Sequence, residues 1–129
     1  MTFVIELPWP PSLNRANTVG KNRRTGKVQF YSSRDKAQFF RDADVLLLSQ
    51  RNVEFVPGPF TYHITLNEKM RHGNADGDNR GKYVLDFLQR VGLIENDKLA
   101  QGGSWSWGSC AGGCRVIVKP FSTNTDEQQ

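Results

Sequence analysis

The sequence predicts a single α/β (α+β) domain, a small mixed β-sheet with two helices packed against it. Three observations predict it. Phe60, Tyr62, Ile64 and Leu66 alternate with Thr61, His63 and Thr65, the period-2 pattern of a half-buried strand. Residues 79–91 carry Val84, Phe87, Leu88 and Val91 at helical spacing and end on Gly92, a residue suited to the left-handed C′ position of a helix stop. Strand-like and helix-like segments also follow one another as β-(β)-α-β-α-β-β, an order that fits helices layered on a sheet. With 129 residues and 37% hydrophobic content, the chain can bury one modest core. Residues 1–121 read as that domain and residues 122–129 as a polar, frayed tail.

Each element has its own signal. Residues 2–7 alternate Phe3, Ile5 and Leu7 with Val4 and Glu6, and Pro8, Pro10 and Pro11 end the strand because proline cannot donate to a ladder. Trp9, set among these prolines, reads as an anchor for a stiff loop, the competing role being a stacking platform for an unpaired base. Residues 28–31 form a short strand candidate. Ser32 or Ser33 caps a helix over residues 35–49, with Ala37, Phe40, Ala43 and Leu47 turned toward the sheet. The proline–glycine cluster at residues 57–59 then leads into the strand at 60–66. Downstream, residues 99–107 and 115–119 read as a terminal hairpin closed by the glycine-rich residues 108–113. Trp105 and Trp107 share one face of it, as cover for the sheet or as a subunit contact.

Charge narrows the function classes. Lysine and arginine total 17 against 13 acidic residues, a net charge of +4, which suits a polyanionic partner. No apolar run approaches the length of a membrane span, and the first residues lack a charged-then-apolar leader, so the expected setting is the cytoplasm without a membrane partner. Cys110 and Cys114 supply too few ligands for structural zinc and read as free thiols. No G-x-x-x-x-G-K phosphate loop is present, which argues against a nucleotide phosphotransferase. The basic residues concentrate early: Arg15, Lys21, Arg23, Arg24, Lys27, Arg34 and Lys36 face one acid, Asp35. A second set, Lys69 and Arg71 with His72, lies in the loop before the acidic segment. Both sets suit phosphate-backbone contacts, whereas His63 reads as an ordinary strand residue.

The acidic segment is Asp76-Gly77-Asp78-Asn79-Arg80-Gly81-Lys82, continued through Asp86 to Asp97. Asp78, Lys82 and Asp86 fall at i, i+4, i+8 and so share one polar helix stripe. Clustered carboxylates can bind a hard cation such as Mg²⁺, share a proton as an acid–base pair, or serve as turn and cap residues, with Asp78 or Asn79 as the N-cap here. The lysine, the third aspartate and the surrounding cations favour the metal, because a phosphodiester substrate needs both Mg²⁺ and positive charge.

Two motifs carry a family resemblance. Asp76-x-Asp78-Asn79-x-x-Lys82-x-x-x-Asp86-x-Leu88, followed by Gly92 and Asp97, closely resembles the core motif of the RusA family of Holliday-junction resolvases. Leu7-Pro8-Trp9-Pro10-Pro11-Ser12-Leu13-Asn14-Arg15 resembles that family's opening Pro-Pro-Ser-Asn segment. The motifs stand in family order, and the resemblance covers residues 3–119. It implies that Asp76, Asp78 and Asp97 bind Mg²⁺ and that Lys82 assists cleavage. Beside it, the candidate DNA-binding surface read from charge and sequence position comprises Asn14, Arg15, Lys21, Arg23, Arg24, Lys27, Lys69 and Arg71. The resemblance implies a homodimer acting on branched DNA, the four-way junction, in a bacterial cytoplasm, with phage or prophage as one source, and no small-molecule cofactor beyond the metal. Gly77 stands where an apolar residue is common. Asn96 stands where an acid often precedes the third aspartate, which leaves any auxiliary role of that position in doubt. The competing class is a branched-DNA-binding module that no longer cuts, its aspartates merely capping a helix.

Chain length sets one geometric question. A helix of about thirteen residues spans roughly 20 Å, whereas the link from Gly92 to Asp97 reaches at most about 18 Å. Asp97 therefore returns to the Asp76/Asp78 end within one chain only if the helix is short or tilted. Otherwise a second copy completes the site.

Overall fold

The computed structural model describes residues 2–11, 19–21, 28–30, 32–71 and 80–121, with backbone alone for 19–21, 28–30, 32 and 33. The elements are β1 (Phe3–Leu7), β2 (Val19–Lys21), β3 (Val28–Phe30), α1 (Ser32–Leu48), β4 (Phe60–Asn67), α2 (Gly81–Arg90), β5 (Ala100–Gly108) and β6 (Cys114–Pro120), with 3₁₀ turns at Glu68–Met70 and Asp97–Leu99. The four-stranded sheet has the order β1-β6-β4-β5, while β2 and β3 pair with each other in a separate two-stranded sheet. β6 is antiparallel to both β1 and β4, and β5 is parallel to β4. A mixed sheet with two helices is thus the architecture the sequence predicts. The expected strand at 28–31 forms over Val28–Phe30, residue 31 lying outside the described residues, and it gains a partner, β2, that its three residues gave no periodicity to announce.

The predicted terminal hairpin is corrected. β5 and β6 do not pair with each other, because β4 lies between them. Two causes act together. Parallel pairing of β4 with β5 needs a crossover connection, and α2 supplies it. β4 also has more to bury than β5: Phe60, Ile64 and Leu66 are at most 3% exposed, whereas no residue of the glycine- and serine-rich β5 is buried, so two neighbours gain more at β4. The link from β5 to β6 then crosses the end of β4, where Asn67 holds it. The Asn67 backbone N–H donates to the Gly113 carbonyl at 2.9 Å, and its Nδ2 donates to the Gly112 carbonyl at 2.9 Å. Gly113 N in turn donates to the Leu7 carbonyl at 2.8 Å, tying the crossing to the end of β1.

Both helices place apolar stripes on the sheet. β1 buries Phe3, Ile5 and Leu7 as its alternation predicts. α1 buries Phe39 and Ala43, with Phe40 and Leu47 half-buried. The expected stripe is therefore rotated: Phe39 joins it, while Ala37 faces solvent. Phe39 and Phe40 meet Phe87 of α2 at centroid distances of 6.3 and 5.8 Å. On α2, Tyr83, Val84, Leu85, Phe87 and Leu88 are buried, a stripe widened by two residues beyond the expected set. Gly92, at φ +80°, ends this helix as expected. Leu93 N donates to the Leu88 carbonyl at 2.9 Å and Gly92 N to the Gln89 carbonyl at 3.2 Å, the paired bonds of a Schellman stop.

The start of α2 differs from expectation. Its N-cap is Arg80, with no side-chain cap bond, rather than Asp78 or Asn79. Arg80 is anchored elsewhere: its Nη1 donates to the Pro10 carbonyl at 2.6 Å and its guanidinium lies 4.4 Å from the Trp9 ring centre. The chain enters the helix through that contact. Among the described residues no helix is long and apolar enough to cross a membrane. Cys110 and Cys114 are free thiols, as expected, although the turn between them closes no hairpin.

Candidate functional site

The site grows from the polar stripe of α2. Lys82, in the first turn, directs Nζ down the helix to Asp86 Oδ1 at 3.1 Å, the i,i+4 partner that helical spacing predicts. The same Nζ lies 2.9 Å from Asp97 Oδ2, beyond the helix. Lys36 of α1 approaches Asp86 Oδ2 at 3.7 Å, with its Nζ 5.4 Å from the Tyr83 ring centre and 5.5 Å from that of Phe40. Lys36, read from sequence as part of a nucleic-acid-facing run, is thus turned toward α2.

Three local devices bring Asp97 back alongside the helix. Gly92 reverses the chain. The returning segment is then held by the Val56–Ile94 bridge, by Val56 N donating to the Leu93 carbonyl at 2.9 Å, and by Gly58 N donating to Glu95 Oε1 at 2.6 Å. Finally, Asp97 N donates to Gln89 Oε1 of α2 at 2.9 Å. Asn96 has an assignable role here. Its side chain accepts from Lys98 N at 2.8 Å and caps the 3₁₀ turn that carries Asp97, which no acid at that position is needed to do. The helix has ten residues, about 15 Å in length, so the short link suffices and Asp97 meets Lys82 within one chain.

Hydrogen bonds from Lys82 to Asp97 and then Asp86 raise its pKa above the ordinary lysine value, against a smaller opposing effect of burial. It is therefore a fixed cation at neutral pH rather than a base. Its side chain is 49% exposed, while those of Asp86 and Asp97 are 21% and 22% exposed. The carboxylates are held in place yet still reachable, and the ammonium is open to a ligand.

On the other side of the first turn of α2 stands an aromatic and cationic cluster. Trp9 stacks on Trp107 at 6.0 Å and 25°, and Trp107 meets Trp105 edge-on at 5.9 Å and 89°. Arg80 lies over Trp9, and Arg71 lies 5.2 Å from the Trp107 ring centre. Trp9 is thus the loop anchor its proline setting implies. Arg71, a predicted DNA contact, is exposed on this cluster, and Lys69 is exposed on the Glu68–Met70 turn, where Asn67 Oδ1 accepts from its backbone N at 2.9 Å.

Of the predicted site residues, Lys82 and Asp97 come together, and Lys69 and Arg71 lie at the end of β4. Asp76 and Asp78 lie outside the described residues, as do Asn14, Arg15, Arg23, Arg24 and Lys27, and Lys21 is described by backbone alone. Among the described residues no group of three acidic, histidine or cysteine side chains is clustered for a metal ion. His63 is occupied on both ring nitrogens, with Ser104 Oγ 2.7 Å from Nδ1 and Ser106 Oγ 2.9 Å from Nε2, in keeping with a structural strand residue. Sequence reasoning left Gln89 and Arg80 without a role. Gln89 had a signal, since Lys82, Asp86 and Gln89 follow i, i+4, i+7 on one stripe. Arg80 had none, because its partners are some seventy residues distant in sequence.

No protein-family model matches this chain, and no curated protein matches it. The functional reading therefore stands on the residues themselves and the motifs they form.

Proposed function

We propose that the chain is a Mg²⁺-dependent, structure-specific endodeoxyribonuclease that resolves four-way DNA junctions by paired symmetric nicks, working as a homodimer. The observation that supports it best is the meeting of Lys82 with Asp97, fifteen residues apart, in the register of the acidic motif.

The donor set suits the metal: aspartate carboxylates are the oxygen ligands a hard cation takes, and Asp97 is held and reachable. Asp76, Asp78 and Asp97 would hold Mg²⁺. Once bound it would supply an activated water and charge neutralisation at the leaving oxygen. Lys82 gives two N–H donors to Asp86 and Asp97, and a third, unassigned among the described residues, is available for a phosphate oxygen. Its fixed positive charge favours the extra negative charge that develops on the phosphoryl group as the bond breaks. Asp86 and Gln89 hold that arrangement, one through Lys82 and the other through the backbone of Asp97. The two-fold symmetry of a four-way junction matches a two-fold dimer carrying one such site per copy.

The test is cleavage of a labelled synthetic four-way junction, with linear duplex as control, in Mg²⁺ or EDTA and with Asp78→Asn. Symmetric nicks that need both Mg²⁺ and Asp78 are expected. Full cleavage by Asp78→Asn overturns the assignment, and tight binding without cuts under any divalent metal favours the non-catalytic junction binder.

A further inference from the structure

A cavity of about 150 Å³ opens beside the first turn of α2, lined by Tyr62, Arg80, Gly81, Gly103, Ser104 and Trp105 among others. Two aromatic rings contribute to its walls. Tyr62 packs against Gly103, where an added Cβ would stand 2.1 Å from a ring carbon, so glycine there is a condition of the ring's position. Trp105 is 40% exposed, yet its edge-on contact with Trp107, which stacks on Trp9, holds its orientation. Arg80, a further lining residue, is pinned by the Pro10 carbonyl and by the Trp9 ring.

Size and chemistry select the occupant. The volume lies below the roughly 300–1,000 Å³ of sites for drug-sized molecules and matches cavities of about 150 Å³ that accept a benzene-sized ring. One planar ring system fits, whereas a whole nucleotide does not. Aromatic faces beside arginine are what single-stranded nucleic acid stacks its bases on. Gly81, in the cavity wall, immediately precedes Lys82, so a ring held here belongs to a strand passing the candidate site.

We propose that this cavity takes one unpaired nucleobase of the DNA strand that passes Lys82, an inference that rests on the nuclease reading for the choice of DNA. A base within linear duplex is stacked and paired and pays to leave the stack; a base at a branch point or in a single strand pays less. The cavity thereby selects branched over linear DNA without reading sequence.

Binding without cleavage isolates the claim. Fluorescence anisotropy in EDTA would compare labelled single-stranded dT10 with an abasic decamer of equal charge. Wild type is expected to bind dT10 at least about fivefold more tightly, the lower end of what one base–aromatic stack contributes. Trp105→Ala removes a wall. Gly81→Leu fills the space, since a Cβ at Gly81 makes ordinary contact with Ile64 and Tyr62 at 3.5 and 3.8 Å. Both variants should lose the dT10 preference and keep the abasic affinity. A preference absent from wild type, or intact in both variants, overturns the inference. The two readings fail separately: base-dependent binding without junction cleavage in Mg²⁺ sinks the nuclease alone, and cleavage with the preference intact in both variants sinks the cavity alone.

Discussion

Lys82 Nζ stands 2.9 Å from Asp97 Oδ2, although the rest of α2 and the loop after it separate the two residues in sequence. The contact places one ammonium between two carboxylates, since Asp86 Oδ1 is 3.1 Å from the same nitrogen. Replacing Lys82 with Met would leave Asp86 and Asp97 facing each other without the cation, and the transition state without its donor. Cleavage should fall by about 10²–10³-fold. Stability should change by no more than about 1 kcal/mol, because a pair this exposed is screened by solvent. Single-turnover cleavage against junction binding in Ca²⁺ checks it, the expected result being lost cutting with retained binding. Equal losses in both would mean that Lys82 only binds DNA.

The neighbouring glycines Gly102 and Gly103 should respond in opposite ways to alanine. A Cβ at Gly103 falls 2.1 Å from the Tyr62 ring, whereas one at Gly102 meets only Thr61 Cγ2 at 4.0 Å. Gly103→Ala must push the ring aside and should cost about 1–3 kcal/mol, the range for overpacking, while Gly102→Ala should be neutral or slightly stabilising through lost unfolded-state freedom. At Gly113 a Cβ would stand 2.0 Å from Trp9 N, which is backbone and cannot swing away. Gly113→Ala should therefore be the most damaging of the three in urea unfolding.

These glycines also show where sequence reading stops. The alternation in β1 and β4 and the stop at Gly92 were legible because each depends on neighbours a few residues away. Sheet order was not, because the place of β4 between β5 and β6 depends on a crossover through α2 and on Asn67 bonding across the chain. The tight fit of Gly103 against Tyr62 and of Gly113 against Trp9 is likewise invisible until the strands are ordered. In the site, the Lys82–Asp86 half of the contact follows from helical spacing. The Asp97 half needed the actual helix length, which the apolar periodicity overstated by including residues 79, 80 and 91. Lys36 was placed with the nucleic-acid-facing cations because composition records charge and not direction.

Among the described residues, Gln50 is the side chain that bonds the outer edge of β1 at Glu6. Gln50 Oε1 accepts from Glu6 N at 2.7 Å, and Gln50 Nε2 donates to the Glu6 carbonyl at 2.8 Å and to the Leu46 carbonyl at 3.0 Å. The amide thus imitates a strand neighbour and ties the end of α1 to the sheet. Gln50→Ala should cost about 1–3 kcal/mol, the range for stranding partly covered backbone groups. Gln50→Glu should be no better, since a carboxylate cannot donate to the two carbonyls. Amide exchange would locate the effect: Glu6 N should exchange faster in both variants while β4 amides keep their global protection. Unchanged exchange at Glu6 would show that another group covers this edge.

Alkaline pH should expose the buried thiol. Burial, with smaller effects from Cys110 and Glu6, raises the Cys114 pKa far above its ordinary value of 9.0, and burial also raises that of Tyr62 above 10.0. In both cases the fold favours the protonated, neutral form. Between pH 9 and 10 the unfolded chain gives up the Cys114 proton while the native chain keeps it, so the native state binds more protons and stability falls as pH rises. One such proton contributes a slope of up to about 1.4 kcal/mol per pH unit. Cys110 shifts in the same direction through burial, so wild type should fall more steeply than Cys114→Ala, in which only that group's contribution is gone. Tyr62 adds its share only above its ordinary value. Urea midpoints from pH 7 to 10 would show it: a flat region to about pH 8.5, then a decline shallower in the variant. A thiol reagent at pH 8 gives the kinetic counterpart, with half-buried Cys110 modified in the native state and Cys114 only as fast as the protein opens. Equal reactivity of the two thiols in the folded protein would mean that the Gly112–Gly113 crossing over β4 opens without global unfolding.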